Sequence, residues 1–479
     1  MIIKKLLFLL LFVFASFLAS FSCNAKVECD EQEYLGEEIE VDEVSEFSGT
    51  AIDATLNTTA TGNYNYPFAS VYFKFESTER QFVKLNFSGQ MSDLKVYNYY
   101  YYSSNDYLFY SSQITYDTDI IYCDANQTYI LAFKSNLPYL SSISITLTSV
   151  TVSNLSNHEK YLMHITYDST SSLGYRYDVE YKNINLNTTT ETIEYIDTNG
   201  GFTNYLDLLD NDLNFGITND DRRLVSNPGE CQYSAIAQAI GNFTYYVSDD
   251  GYSYSSYGTG TFVDETTVLS CAHLFYHYNG NSLSTFYGYS ALTRQMYFYP
   301  GANSYYNQTN WYSNYGKYKA TDTYVPISYV LVNSDQTEYD WSLTLTDVVS
   351  QGSYNHSYMR MYHFTASINY SVQSAGYPVL QNVPNGEEAK YAHTMWASYP
   401  LYRTIMTYNN YLSSPDIVLS GGNSGGPIYV YVTSMENGVV IRRAGIAAIA
   451  SATNTGSTFT QSYMCRMRPV IINAYYSIT

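Results

Sequence analysis

Three short strings in the C-terminal half carry residue types that could together break an acyl bond. The first is Ser420-Gly421-Gly422-Asn423-Ser424-Gly425-Gly426-Pro427. Acyl transfer needs a nucleophile exposed on a tight turn, with N–H groups aimed at the developing oxyanion. Glycines on both sides of Ser424 permit that turn, because positive φ and close substrate approach both exclude a Cβ. The second string, Val268-Leu269-Ser270-Cys271-Ala272-His273, ends a β-like run on an imidazole. Such an imidazole can accept the serine proton near neutral pH and return it to the leaving amine. The third member must be a carboxylate that fixes the imidazole tautomer and stabilises its cation. Asp340 is the best placed, since it opens the alternating run Trp341-Ser342-Leu343-Thr344-Leu345. Asp322 and Asp335 are its rivals and read as residues of polar turns.

Strands must position these groups. Gly258 to Val263 and Thr267 to Ser270 read as a hairpin leading to His273, and Ile428-Tyr429-Val430-Tyr431-Val432 as a strand anchoring the Ser424 loop. Gly422-Asn423-Ser424-Gly425-Gly426 also has the Gly-x-Ser-x-Gly spacing of a strand-to-helix elbow in esterases and lipases. The β-like segment after it, and a histidine that precedes the serine, oppose that reading.

With the order His273, Asp340, Ser424, these strings resemble the chymotrypsin-like serine peptidases. Asp220-Asp221-Arg222-Arg223-Leu224-Val225-Ser226-Asn227 and Tyr233-Ser234-Ala235-Ile236 resemble the start of the mature domain in the bacterial glutamyl endopeptidase branch. The resemblance implies an all-β, chymotrypsin-like double β-barrel over 224–479, with two six-stranded barrels and the triad in the cleft between them. It implies an endopeptidase working through an acyl-enzyme, with the N–H groups of Gly422 and Ser424 as oxyanion hole. It implies no cofactor and no metal, and a closing helix within Arg466–Tyr475.

The substrate pocket departs from that branch. Glutamyl members use a histidine on the strand after the nucleophile and a threonine a few residues before it. Here Gly445-Ile446-Ala447-Ala448-Ile449-Ala450 holds no histidine, and Leu419 stands before the loop. Val418 occupies the position at which trypsin-like members carry an acidic residue. A pocket of Val418, Leu419, Ala448 and Ala450 implies preference for an uncharged, apolar residue before the scissile bond. Relatives pair a cysteine just after the histidine with one on a neighbouring strand. Cys271 instead precedes it, with Cys231 and Cys465 as possible partners.

The rest of the chain sets the context. Lys4 and Lys5, an apolar run from Leu6 to Leu18, and small residues at Ala19, Ser20, Ser22 and Ala25 describe a secretory signal peptide over 1–25. The run is too short for a comfortable membrane span. Secretion is therefore expected, with lipid attachment at Cys23 as the lesser reading. Residues 26–50 are an acidic block expected to be a disordered leader. The whole chain carries a formal charge of −21, which opposes a nucleic-acid partner. No Cys/His spacing suggests a metal site.

Alternating runs such as Val71–Phe75, Phe82–Phe87, Tyr129–Phe133 and Ile143–Leu147 predict a β-sandwich module over 51–205, with Tyr161–Tyr167 and Tyr175–Tyr181 as its extension. Its strand order resembles the pre-peptidase C-terminal type. The run Tyr97 to Tyr102 could present an aromatic surface to a carbohydrate. Residues 206–223 read as a linker, with Asp220-Asp221-Arg222-Arg223 as a processing site, which makes the chain a precursor. The expected partner is a protein or peptide substrate. The alternative is a surface adhesin or carbohydrate-binding protein with an inactive or secondary peptidase-like domain.

Overall fold

The computed structural model describes residues 51–64, 70–79, 81–89, 93–102, 105–111, 120–123, 125–134, 142–149, 160–167, 175–182, 184, 208–209, 221–225, 227–229, 231–247, 250–276, 295–303, 313–331, 337–352, 355–363, 370–378, 394–398, 401–408, 411–436, 439–455 and 459–479. The signal-like segment, the acidic leader and Asp335 lie outside them.

Nine strands form the N-terminal sandwich: β1 (Ile52–Ala54), β2 (Thr59–Asn63), β3 (Ser70–Ser77), β4 (Gln81–Ser88), β5 (Asp93–Tyr102), β6 (Asn105–Ser111), β7 (Ile120–Cys123), β8 (Gln127–Lys134) and β9 (Ser142–Ser149). One sheet runs β1-β3-β8-β5-β6 and the other β2-β9-β4-β7. The alternation in sequence becomes alternation in burial, since Val71, Phe73 and Phe75 point inward from β3 while Tyr72 and Lys74 do not. Phe73, Leu131 and Phe133 of one sheet meet Val83, Leu85, Ile143, Ile145 and Leu147 of the other in a single cluster. The side chains of the Tyr97–Tyr102 run lie outside the described residues, although its backbone pairs with β6 and β8.

The expected extension of the sandwich sits elsewhere. β10 (Tyr161–Tyr167) and β11 (Tyr175–Tyr181) form a hairpin, but β10 pairs with β18 (Gly316–Pro326), not with either sandwich sheet. The reason is an open edge. β18 meets β17 (Gln295–Pro300) only at Tyr318 and Lys319, and β10 covers the stretch from Asp322 to Pro326. Leu162, Met163 and Ile165 thereby enter the large core cluster of the C-terminal half.

In that half, β14 (Ile236–Val247), β15 (Asp250–Phe262), β16 (Thr267–Ser270) and β19 (Ser342–Gln351) join β17 and β18. The order β18-β17-β14-β15-β16-β19 closes through a β18–β19 pairing into a six-stranded barrel. The second sheet contains β20 (Arg360–Met361), β21 (Tyr370–Gly376), β22 (Trp396–Ser398), β23 (Leu401–Arg403), β24 (Met406–Thr407), β25 (Tyr411–Ser414), β26 (Pro427–Glu436), β27 (Val439–Thr455) and β28 (Phe459–Arg466). Residues from β21 through to β25 in its order, among them Val372, Leu412, Ile428, Val430, Ala447 and Met464, share one buried cluster. The sheet is therefore wrapped around a core of its own. Its edge is extended by β12 (Leu208–Leu209) and β13 (Arg222–Val225); β12 and the first two residues of β13 fall in the stretch 206–223 read from sequence as linker.

A helix over Pro469–Ile478 ends the chain, with proline in its first turn, where a missing N–H costs nothing. It buries Val470, Ile471, Ile472 and Ala474. The architecture is all-β, a β-sandwich followed by a closed six-stranded barrel and a second sheet with its own buried core.

Candidate active site

Strand register brings His273 and Asp340 together. β16 and β19 are antiparallel with Ser270 opposite Ser342, so the chain leaving β16 runs beside the chain entering β19. A single 3₁₀ turn, Ala272–Leu274, then presents His273. Asp340 is only 3% exposed. Its Oδ1 accepts the backbone N–H of His273 at 3.0 Å and its Oδ2 lies 2.8 Å from His273 Nδ1. Ser451 Oγ donates to the same Oδ2.

This double attachment fixes the ring and its tautomer. Burial opposes the carboxylate charge of Asp340, but the charge of His273 and three donated hydrogen bonds outweigh it and hold its pKa below the usual range. Burial likewise opposes the His273 cation, and the Asp340 carboxylate outweighs that, raising the imidazole well above its ordinary value. Of the rival carboxylates, Asp322 faces His164 Nε2 at 2.8 Å.

The Ser424 loop is held from outside its own sheet. Thr259 of β15 donates its N–H to the Ser424 carbonyl and its hydroxyl to the Gly422 carbonyl, both at 2.8 Å. Its hydroxyl in turn accepts the N–H of Tyr377 at 3.0 Å. Gly425 donates to the Ala450 carbonyl at 2.8 Å. Gly422 and Gly425 have φ of 84° and 83°, where a side chain is strained. A Cβ on Gly425 would also stand 2.1 Å from Ser270 Oγ and from the Thr259 carbonyl, and 3.1 Å from the Cys271 nitrogen. That contact sets Ser424 and His273 on abutting segments.

With the loop carbonyls turned toward Thr259, the N–H groups of Gly422 and Ser424 donate to nothing among the described residues. They are free to meet a developing oxyanion. Ser424 Oγ also makes no hydrogen bond among the described residues. His273 Nε2 lies 3.5 Å from Cys271 Sγ. A serine–histidine bond that tightens only with substrate is common in unliganded sites.

Cys271, His273 and Asp340 place ligand-type atoms within 4.8 Å of one another. The Asp340–Nδ1 separation of 2.8 Å is that of a shared proton, so the carboxylate orients the ring instead of joining it on an ion. Cys271 and Cys465 are both buried free thiols, so neither forms the bridge considered from sequence. The side chain of Cys231 lies outside the described residues. Burial raises the pKa of Cys271 and of Cys465, which leaves them protonated.

The four residues expected to form the specificity pocket, Val418, Leu419, Ala448 and Ala450, are all buried. Leu419, Ala448 and Ala450 belong to the packed core of the second sheet, together with Ile428, Val430 and Met464. They back the site from within. Sequence reasoning missed Ser451 and Thr259, both ordinary hydroxyl residues whose partners lie far along the chain. Only the position of Ser451 directly after Ala450 hinted at the first.

No family model and no curated protein matches the chain. Among solved structures it is similar to a Glu endopeptidase in complex with MPD, at 20% identity and TM-score 0.37, covering 55% of this chain and 99% of that one. It is also similar to the protease Anisep from Arthrobacter nicotinovorans, at 18% identity and TM-score 0.32, covering 51% and 98%. A scabies mite inactivated protease paralogue, S-D1, matches at 10% identity and TM-score 0.32, covering 51% and 91%. In this chain a closed barrel presents His273 and Asp340 on segments that abut the Ser424 loop.

Proposed function

We propose that the chain is a secreted serine endopeptidase. The observation that carries this reading is the Asp340 carboxylate bonded to both the N–H and Nδ1 of His273, next to a loop with two N–H groups that donate to nothing among the described residues. Ser424 Oγ attacks the scissile carbonyl and gives its proton to His273 Nε2. The carbonyl oxygen becomes an oxyanion and takes the N–H groups of Gly422 and Ser424. Asp340 keeps Nδ1 protonated and stabilises the imidazolium. His273 then hands the proton to the leaving amine as the C–N bond breaks, and water repeats the cycle on the acyl-enzyme.

Export is supported by the charged and apolar start of the sequence, and no helix among the described residues is long and apolar enough to cross a membrane. The substrate reading is a peptide with an uncharged, apolar residue before the cut, supported by the run Gly445–Ala450, which holds no histidine, and by Val418, which stands where trypsin-like members carry an acidic residue. Profiling cleavage of a peptide library tests both parts. Wild type should cut after apolar residues and Ser424→Ala should not cut at all. Dominant cutting after glutamate or arginine would overturn the specificity. Equal cutting by Ser424→Ala would overturn the mechanism.

A further inference from the structure

Read as sequence, Arg222 belongs to an exposed processing site. In the structure it is 2% exposed, inside β13, with its backbone paired to Ser398 of β22. Its Nη1 donates to Asn423 Oδ1 at 2.7 Å and to Ser420 Oγ at 2.8 Å. Both acceptors are in the nucleophile loop. We propose that Arg222 is the positioning residue of the oxyanion loop, so that the segment ahead of the barrels is a working part of the site and the chain is competent without cleavage there. This proposal rests on the peptidase reading above.

Asn423 lies between the two residues whose N–H groups face the oxyanion. The peptide units on either side of it carry the Gly422 carbonyl and the Ser424 N–H, so whatever fixes Asn423 fixes the direction of that donor. Its Oδ1 is a hub. Besides the guanidinium it accepts the Ser420 N–H at 3.2 Å and faces Ser420 Oγ at 3.4 Å, while its own N–H donates to the Ser420 carbonyl at 3.0 Å. A guanidinium is costly to bury and is kept where its rigid fork meets acceptors of fixed geometry. Thr259 holds the carbonyl side of the loop and Arg222 holds the side-chain side.

The neighbouring residues resist cleavage for the same reason. Asp221 is paired with the buried Arg403, whose Nη1 also donates to the Asp416 carbonyl ahead of Val418. Arg223 folds back to donate to the Arg222 carbonyl at 2.9 Å. A protease would have to strip β13 from β22 before reaching these bonds.

The test measures peptide hydrolysis by the purified chain, with mass spectrometry reporting whether the bonds around Arg222 are intact. The intact wild type should hydrolyse peptide. Arg222→Ala should lose about ten- to a hundred-fold in kcat with KM little moved, as for a donor lost only from the transition state. Added guanidinium ion, at concentrations well below denaturing, should restore several-fold of that loss, whereas urea should not. Arg222→Lys, with no planar fork, should fall between. If Arg222→Ala does not fold, Arg222→Lys carries the comparison, with circular dichroism confirming its fold. An unchanged kcat in a folded Arg222 variant would overturn the proposal alone, as would activity that appears only after cleavage at Arg222 or Arg223. Inactivity of the wild type in both intact and cleaved forms would instead overturn the peptidase reading beneath it.

Discussion

The proposed base and the proposed nucleophile are held in contrasting ways. His273 and Asp340 come from two strands that are hydrogen-bonded neighbours in a closed barrel, so their meeting follows from the Ser270–Ser342 register. Ser424 sits on a loop with positive-φ glycines, pinned by Thr259 of the first barrel, by Arg222 ahead of both, and by Ala450 of β27. A barrel can fix a side chain by pairing alone. A glycine loop needs partners brought from other segments.

The contrast is broken most severely on the barrel side. Asp340→Asn should preserve the fold yet lower kcat about 10⁴-fold, because an amide no longer enforces the Nδ1–H tautomer. Steady-state kinetics beside a circular dichroism spectrum check this. On the loop side, Thr259→Val removes the hydroxyl between the Gly422 carbonyl and the Tyr377 N–H. It should lower kcat by on the order of ten- to a hundred-fold and destabilise the fold by about 1–3 kcal/mol, measured by denaturant melts, because two buried groups lose their partner. A smaller loss is expected from Ser451→Ala, which takes one donor from a carboxylate that keeps two others. About tenfold in kcat/KM is the expected scale, the lower end of the roughly 1.5–3 kcal/mol that a hydrogen bond to a charged group contributes, because two donors remain.

The pH profile sharpens the same comparison. Asp340 raises the His273 pKa, so kcat/KM should reach half its plateau above the ordinary imidazole value, and Asp340→Asn should move that limb down. A second histidine reports on the β10–β11 hairpin. His164 stacks on Tyr324 and lies between Glu180 and Asp322. Burial works against its charge, but the hydrogen bonds and charges of those two carboxylates raise its pKa; His164 in return lowers that of Asp322, and Lys182 together with His164 lowers that of Glu180. The stabilisation from a raised histidine is complete below its unfolded pKa and disappears as pH rises through the folded one. That from the lowered carboxylates is present above their unfolded pKa and disappears as pH falls through the folded one. The hairpin should therefore be most protected from hydrogen exchange in mildly acidic solution, and His164→Gln should flatten the alkaline side of that dependence.

What was legible in the sequence follows the range of the interactions. The sandwich strands could be read because period-two burial, as in β3 and β9, is a local property. His273, Asp340 and Ser424 could be read because each is embedded in a distinctive string. Arg222 was misread because a doubly charged, polar string has the composition of an exposed turn, and only the fold supplies the acceptors that let the guanidinium be buried. The β10–β18 pairing joins segments far apart in the chain, and no pattern within Tyr161–Tyr167 says which edge it will cover. The pocket residues were placed by position relative to Ser424, but in the folded chain Ala448 and Ala450 pack against Ile428 and Met464 in the core.

The central claim is that the His273–Asp340 pair activates Ser424. Labelling with a fluorophosphonate, followed by peptide mapping, tests it most directly. The account predicts one adduct, on Ser424, that disappears in Ser424→Ala and forms far more slowly in Asp340→Asn. No adduct on the folded wild type, or one that forms equally fast without the Asp340 carboxylate, would contradict it.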